Sequence, residues 1–224
     1  MKSVRVRKPS IVSRLSNEDF WSLIRTSSIV TSSKMRQLKD VVSARPDYEE
    51  QSRDIWETYT FTKFNEQVNF IESILNEMHI LDVIAFQKYM NVARDETRNW
   101  EFWSGFCLMA EKPTISRLDG LSGFVISAGY EYFEKLKNNP SRIVRNIPSF
   151  SDANFPEILS IAKKVYTGRT RDLMPIEESD FSLTGEPWVL EDFEPYKNHR
   201  DIWICFTGEK SPKEVYKNAQ SFRQ

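Results

Sequence analysis

Apolar positions recur at helical spacing through much of this chain and predict a mainly α fold. The run Ser16-Asn17-Glu18-Asp19 reads as a helix start. Ser16 can cap it, and the two acids suit the positive end of the helix dipole. Phe20, Trp21, Leu23 and Ile24 then supply a buried face. Phe64, Val68, Ile71, Leu75 and Met78 mark a second helix, and 76–79 reads as a break. The stretch 81–93 is apolar over most of its circumference, as a central helix is. Trp100, Trp103, Cys107 and Ala110 form another helical row, with Phe102, Phe106 and Met109 beside it.

Lys112-Pro113 stops that helix, and a further one over 115–128 ends at Gly129. A short amphipathic helix over 130–138 is closed by Asn138-Asn139-Pro140. Phe155, Ile158, Leu159, Ala162 and Val165 mark one more, with Pro156 and Glu157 suited to its first turn. The segment 201–206 reads as a short strand or one buried helical turn. Ser211-Pro212-Lys213-Glu214 is a capping-box pattern that opens a last helix. The expected organisation is a basic arm over 1–15, a single multi-helix domain over 16–210 and a C-terminal helix over 211–224. Irregular or strand pieces are confined to the C-terminal part.

Composition narrows the picture. In 224 residues, 40% hydrophobic and 13% aromatic, there is enough apolar material for one sizeable core. Only seven glycines leave few of the tight turns that hairpin-rich folds need. The net charge of -1 argues against a polyanion as the main partner. The arm, with Lys2, Arg5, Arg7, Lys8 and Arg14, leaves nucleic acid as a minor alternative. No apolar stretch follows those basic residues as a signal peptide requires, and no window approaches a membrane span. A cytoplasmic protein with no membrane partner is expected.

Candidate chemistry is sparse. The two histidines, His79 and His199, have no second histidine at ligand spacing, and Cys107 and Cys205 lie far apart without a CxxC. No phosphate-cradling glycine loop and no GxSxG elbow occurs. No catalytic residue, cofactor or metal is assigned on these grounds. Cys107 reads as a buried structural thiol ahead of a nucleophile paired with His79. Arg94, Asp95, Glu96 and Arg98 read as helix-end charges facing water. Trp21, Trp100, Trp103 and Phe124 read as core. Residues 177–194 carry seven acids and no Lys or Arg, an acidic irregular stretch. Within and beside it, Glu191, Asp192 and Glu194 interleave with Trp188, Phe193 and Tyr196. Rings that bury and carboxylates that steer suit an interface, so these six are the partner-binding candidates.

Asp19-Phe20-Trp21-Ser22-Leu23-Ile24 resembles the DFWxLI opening of the bacterial domain-of-unknown-function family 4240. Ile84 and Phe86, then Trp100 and Trp103 leading into 105–110, are similar to the family's middle, as is Gly123-Phe124-Val125-Ile126-Ser127-Ala128-Gly129. The helix over 130–140 and the aromatic segment 196–206 extend the likeness to about half the chain. The matching positions are mostly apolar, so the resemblance implies a shared fold and no activity. Of the acidic pair and arginine that the family carries before the later helix, 117–122 retains at most Asp119. The expected function is a non-catalytic protein-interaction domain of the immunity or adaptor kind, with a protein partner. The alternatives are an enzyme or small-ligand domain with a site in a helical cleft, and a nucleic-acid-associated protein that uses the arm.

Overall fold

Helix α1 (Asn17–Ser43) starts on the cap that the sequence places there. Ser16 Oγ accepts the Asp19 amide at 3.1 Å, and the Asp19 carboxylate accepts the Ser16 amide at 3.0 Å. Two orphan donors are thus satisfied reciprocally. Hydrogen bonds from the Ser16 hydroxyl and amide hold the Asp19 carboxyl below its ordinary range. The computed structural model describes residues 13–43, 52–109, 114–137, 153–177 and 182–185, with backbone alone at 33–43, 52–62, 104–105 and 107–109. Within them follow α2 (Ser52–Glu77), α3 (Ile80–Thr97), α4 (Trp100–Met109), α5 (Ile115–Ser127) and α6 (Tyr130–Lys137). A 3-10 turn (Pro156–Ser160) leads into α7 (Ile161–Thr170). The fold is mainly α, and no strand occurs among the described residues.

Each boundary has a local cause. The break at 76–79 is the α2–α3 turn, where His79 Nδ1 accepts the Leu81 amide at 3.3 Å and caps α3. Asp82, in the first turn of α3, accepts Ser13 Oγ (2.8 Å) and the amides of Arg14 (2.8 Å) and Leu15 (3.1 Å), strapping the entry to α1 onto α3. Gly129 ends α5 at φ +97°, a conformation that glycine adopts without a Cβ penalty. Pro156 opens the 3-10 turn. Helix α2 has no basic residue in its last turn, so its carbonyl end is finished from elsewhere. Arg169 of α7 donates to the Leu75 (3.1 Å) and Met78 (2.8 Å) carbonyls.

The core is a set of helices around α3 and α5. Helix α1 lies along α2, α7 packs across α2 and α3, and the 3-10 turn seats on α5. Phe20 meets Phe86 edge-on at 5.0 Å, and Phe64 stacks on Phe155 at 4.2 Å. Trp103 is a core residue, 2% exposed, between fully buried Phe102 and Phe106. Trp21, Trp100 and Phe124 are half-buried against the core. Two glycines on α5 admit the chain closely. Phe155 N donates to Gly120 O at 2.9 Å, and a Cβ on Gly123 would stand 1.9 Å from Phe155 O. Polar clamps cross the interior: Gln67 Nε2 donates to Ser27 Oγ (3.0 Å) and to Ser127 O (2.9 Å), tying α2 to α1 and α5.

Residues 182–185 of the acidic stretch are anchored. Thr184 N donates to Arg98 O and Trp100 N to Thr184 O, both at 3.0 Å, in a single parallel bridge at the α3–α4 junction. Leu183 packs half-buried against the core. The segments 201–206 and 211–224 lie outside the described residues, as do most of the basic arm and Cys205.

Candidate functional site

Two places on the described surface gather polar groups around a concavity, the first with aromatic walls. The first lies between α1 and the α5–α6 turn. Because Gly129 reverses the chain sharply, Tyr130 and Glu131 start α6 directly against Glu18, Trp21 and Arg25 of α1. The groove encloses about 570 Å³. Trp21 and Tyr130 form two of its walls, ring centroids 5.3 Å apart and planes at 57°. Trp21 is braced from behind by Phe20 (4.9 Å) and Phe133 (5.0 Å), whereas Tyr130 is 50% exposed. Glu18 and Glu131 each sit in the first turn of a helix and are exposed, as is Arg25. The result is an aromatic corner flanked by two carboxylates and one guanidinium.

The second place is the seam where α3 faces α5 and the 3-10 turn. Gln87, Asn91 and Arg94 follow one another at helical spacing along α3, and Arg98 caps its C-terminal end. Gln87 Nε2 donates to Asn91 Oδ1 (2.9 Å) and to Leu159 O (2.8 Å). Arg98, 6% exposed, bridges Asp95 (3.4 Å) and Asp119 of α5 (3.2 Å). Arg94 Nε stands 3.5 Å from Asp95, with its side chain 11% exposed. This corrects the reading of 94–98 as charges facing water. Glu96 does face outward, but Asp95 is half-buried between the two arginines, and Arg94 and Arg98 lie on the inner side, against α5. One hydroxyl pair, Thr97 and Ser122, closes the seam at 2.6 Å. At its outer end a depression of about 370 Å³ is bounded by Arg94, Ser116, Asp119, Ser160 and Lys163.

Trp188, Glu191, Asp192, Phe193, Glu194 and Tyr196, the partner-binding candidates, lie outside the described residues. His79 caps a helix, and the side chain of Cys107 lies outside the description. Among the described residues no three of His, Cys, Asp and Glu gather to hold a metal ion. None of the described helices is long and apolar enough to cross a membrane. Lys63 of α2 is half-buried, and desolvation pulls its ammonium below the ordinary lysine range. The arginine stripe had a sequence signal, a polar row at helical spacing inside an apolar helix. The groove had none, because Trp21 and Tyr130 are 109 positions apart.

A family model described as "Protein of unknown function (DUF4240)" matches residues 57–168, half of the chain. The match takes in the α3–α5 seam and its depression, and it leaves the α1 wall of the groove outside. No curated protein and no solved structure matches the chain.

Proposed function

We propose, from the premise that this chain belongs to the DUF4240 family of proteins of unknown function, that it is a non-catalytic domain that binds a basic segment of a partner protein. The observation that carries the reading is the groove between α1 and α6. Trp21 and Tyr130 offer two ring faces at an angle, and Glu18 and Glu131 stand beside them. A lysine or arginine stem can lie on the rings while its charge meets a carboxylate, worth roughly 0.5–2 kcal/mol for the cation–π contact. Covering the exposed half of Tyr130 removes on the order of 100 Å² from water and adds about 2 kcal/mol. Arg25 lies seven residues beyond Glu18, roughly 10 Å along the helix. It gives the groove a direction, with the partner's cation at the Glu18 end. Sequestering a partner in the cytoplasm, as an immunity or adaptor protein does, is the role that fits such a surface.

A twelve-residue Lys/Leu peptide and its Glu/Leu counterpart test this by amide chemical-shift mapping. The basic peptide should shift α1 and α6 resonances, and the acidic one should not. Glu18→Gln with Glu131→Gln should weaken the basic peptide severalfold at low salt, and Tyr130→Ala should weaken it at any salt. Shifts scattered over the surface, or unchanged affinity in both variants, would refute the groove as the docking site.

A further inference from the structure

With the groove between α1 and α6 read as a site for basic chain, as above, we propose that its resident occupant is this chain's own N-terminal segment, residues 1–12, which a partner has to displace. Glu18 and Glu131 line the groove and stand exposed, and their carboxylates take part in no hydrogen bond or ion pair among the described residues. The same holds for the guanidinium of Arg25 at the far end. Residues 1–12 hold Lys2, Arg5, Arg7 and Lys8 and no acid, and the first carboxylate along the chain is Glu18 itself. Val4 and Val6 alternate with Arg5 and Arg7, so in extended chain the two guanidiniums share one edge.

The root of this segment is fixed close to the groove. Ser13 Oγ, Arg14 N and Leu15 N all donate to the Asp82 carboxylate, at 2.8, 2.8 and 3.1 Å. Asn17 and Glu18, the first groove residues, follow within the next three positions. Lys8 lies five residues before Ser13, and Glu18 five after it. Five residues of chain reach roughly 17 Å, so Lys8, Arg7 and Arg5 can all turn back to the Glu18 carboxylate. Glu18 stands at the end of α1 from which the segment emerges, and Arg25 repels cations from the other end. A lysine or arginine stem can lie there on Trp21 and Tyr130 with its charge on a carboxylate. Tethering on so short a link sets an effective concentration in the millimolar range. At about 3 mM, a segment with a Kd of about 1 mM fills about three-quarters of the grooves and weakens a competing partner about fourfold. The contacts are exposed, so salt releases the segment.

The test follows the amide resonances of the groove at low salt in two full-length chains, the parent and one carrying Arg5→Gln, Arg7→Gln and Lys8→Gln. In the free protein the Tyr130 and Glu131 amides, remote in sequence from the arm, should differ between the two. Sodium chloride at about 0.5 M should move the parent towards the variant and leave the variant in place. The variant should then bind the twelve-residue Lys/Leu peptide about fourfold more tightly than the parent. Identical groove amides and equal peptide affinity in the two chains would overturn the docked arm and leave the groove to the partner alone. Changes confined to Asn17 and Glu18 would mark only a local charge effect and overturn it too. Differences that grow with protein concentration would assign the occupant to a second copy, with the same result. Groove amides that respond to the arm while neither chain responds to the peptide would keep the arm and exclude the partner.

Discussion

Alanine at Gly123 and alanine at Gly168 should move stability in opposite directions, although both glycines lie inside helices. Glycine in a helix interior costs about 0.5–1 kcal/mol relative to alanine, so propensity alone favours both changes. At Gly168 of α7 nothing stands within 4 Å of the added methyl. The gain there should appear whole, at about 0.5–1 kcal/mol. At Gly123 the methyl would meet Phe155 O at 1.9 Å, Phe155 C at 2.9 Å and Ile158 Cγ2 at 3.1 Å. Restoring an ordinary contact of about 3.4 Å pushes the backbone at Phe155 away by about 1.5 Å. That displacement breaks the 2.9 Å bond from Phe155 N to Gly120 O, worth about 1 kcal/mol. It also disturbs the 4.2 Å stack of Phe155 on Phe64, worth about 0.5–1.5 kcal/mol. Overpacking strain of about 1–3 kcal/mol adds to both. Against a helix gain of about 1 kcal/mol, the net loss should be about 2–4 kcal/mol. Urea unfolding followed by helical circular dichroism measures both variants, provided the slope with denaturant stays constant. A Gly123→Ala protein within 0.5 kcal/mol of the parent, or a less stable Gly168→Ala protein, would show the reasoning wrong.

Trp103→Ala should cost about 3–5 kcal/mol, since the indole is buried among Phe102 and Phe106; a loss under 1 kcal/mol in the same urea assay would remove it from the core. Stability should also fall in acid through Asp82. Burial pushes its carboxyl up, but the hydrogen bonds from Ser13, Arg14 and Leu15, with the charge of His79, outweigh that and leave it below its ordinary value. The folded pKa is then lower than the unfolded one, so this contribution is whole above about pH 3.9 and is lost as pH falls through the folded value. The advantage of the parent over Asp82→Asn should therefore shrink at the acid end of a pH series, and a gap that stays constant would exclude the strap as its source.

Helix starts and stops were legible because their causes are local. Ser16 and Asp19, the 76–79 turn, Gly129 and Pro156 each act within a few residues, and the apolar rows between them locate the core. Depth of burial was less legible. Trp21 and Phe124 carry the same apolar signal as Trp103 yet stop half-buried, because what covers them is decided by α6 and not by their own helices. The two α5 glycines admit residues 153–155 closely, and nothing in their own helix announces that approach. Arg94 and Arg98 were read as solvated because α5, which covers them and supplies Asp119 to Arg98, is a helix away. Both concavities are assembled from elements far apart in the chain, and no spacing rule along one segment reports such a meeting.

Arg169 bears on the order in which the chain can be finished. The carbonyls of Leu75 and Met78 wait for a guanidinium made 91 residues after Met78. At roughly 5–20 residues per second of translation, that wait is about 5–18 s. During it, the exit of α2 has water as its only partner, and the surfaces of α2 and α3 that α7 will cover stay open. A nascent chain halted before α7 is thus not a smaller stable unit but one with an unsealed flank. Its hydrophobic face is open to chaperones and to other chains until Ala162, Val165 and Arg169 arrive together.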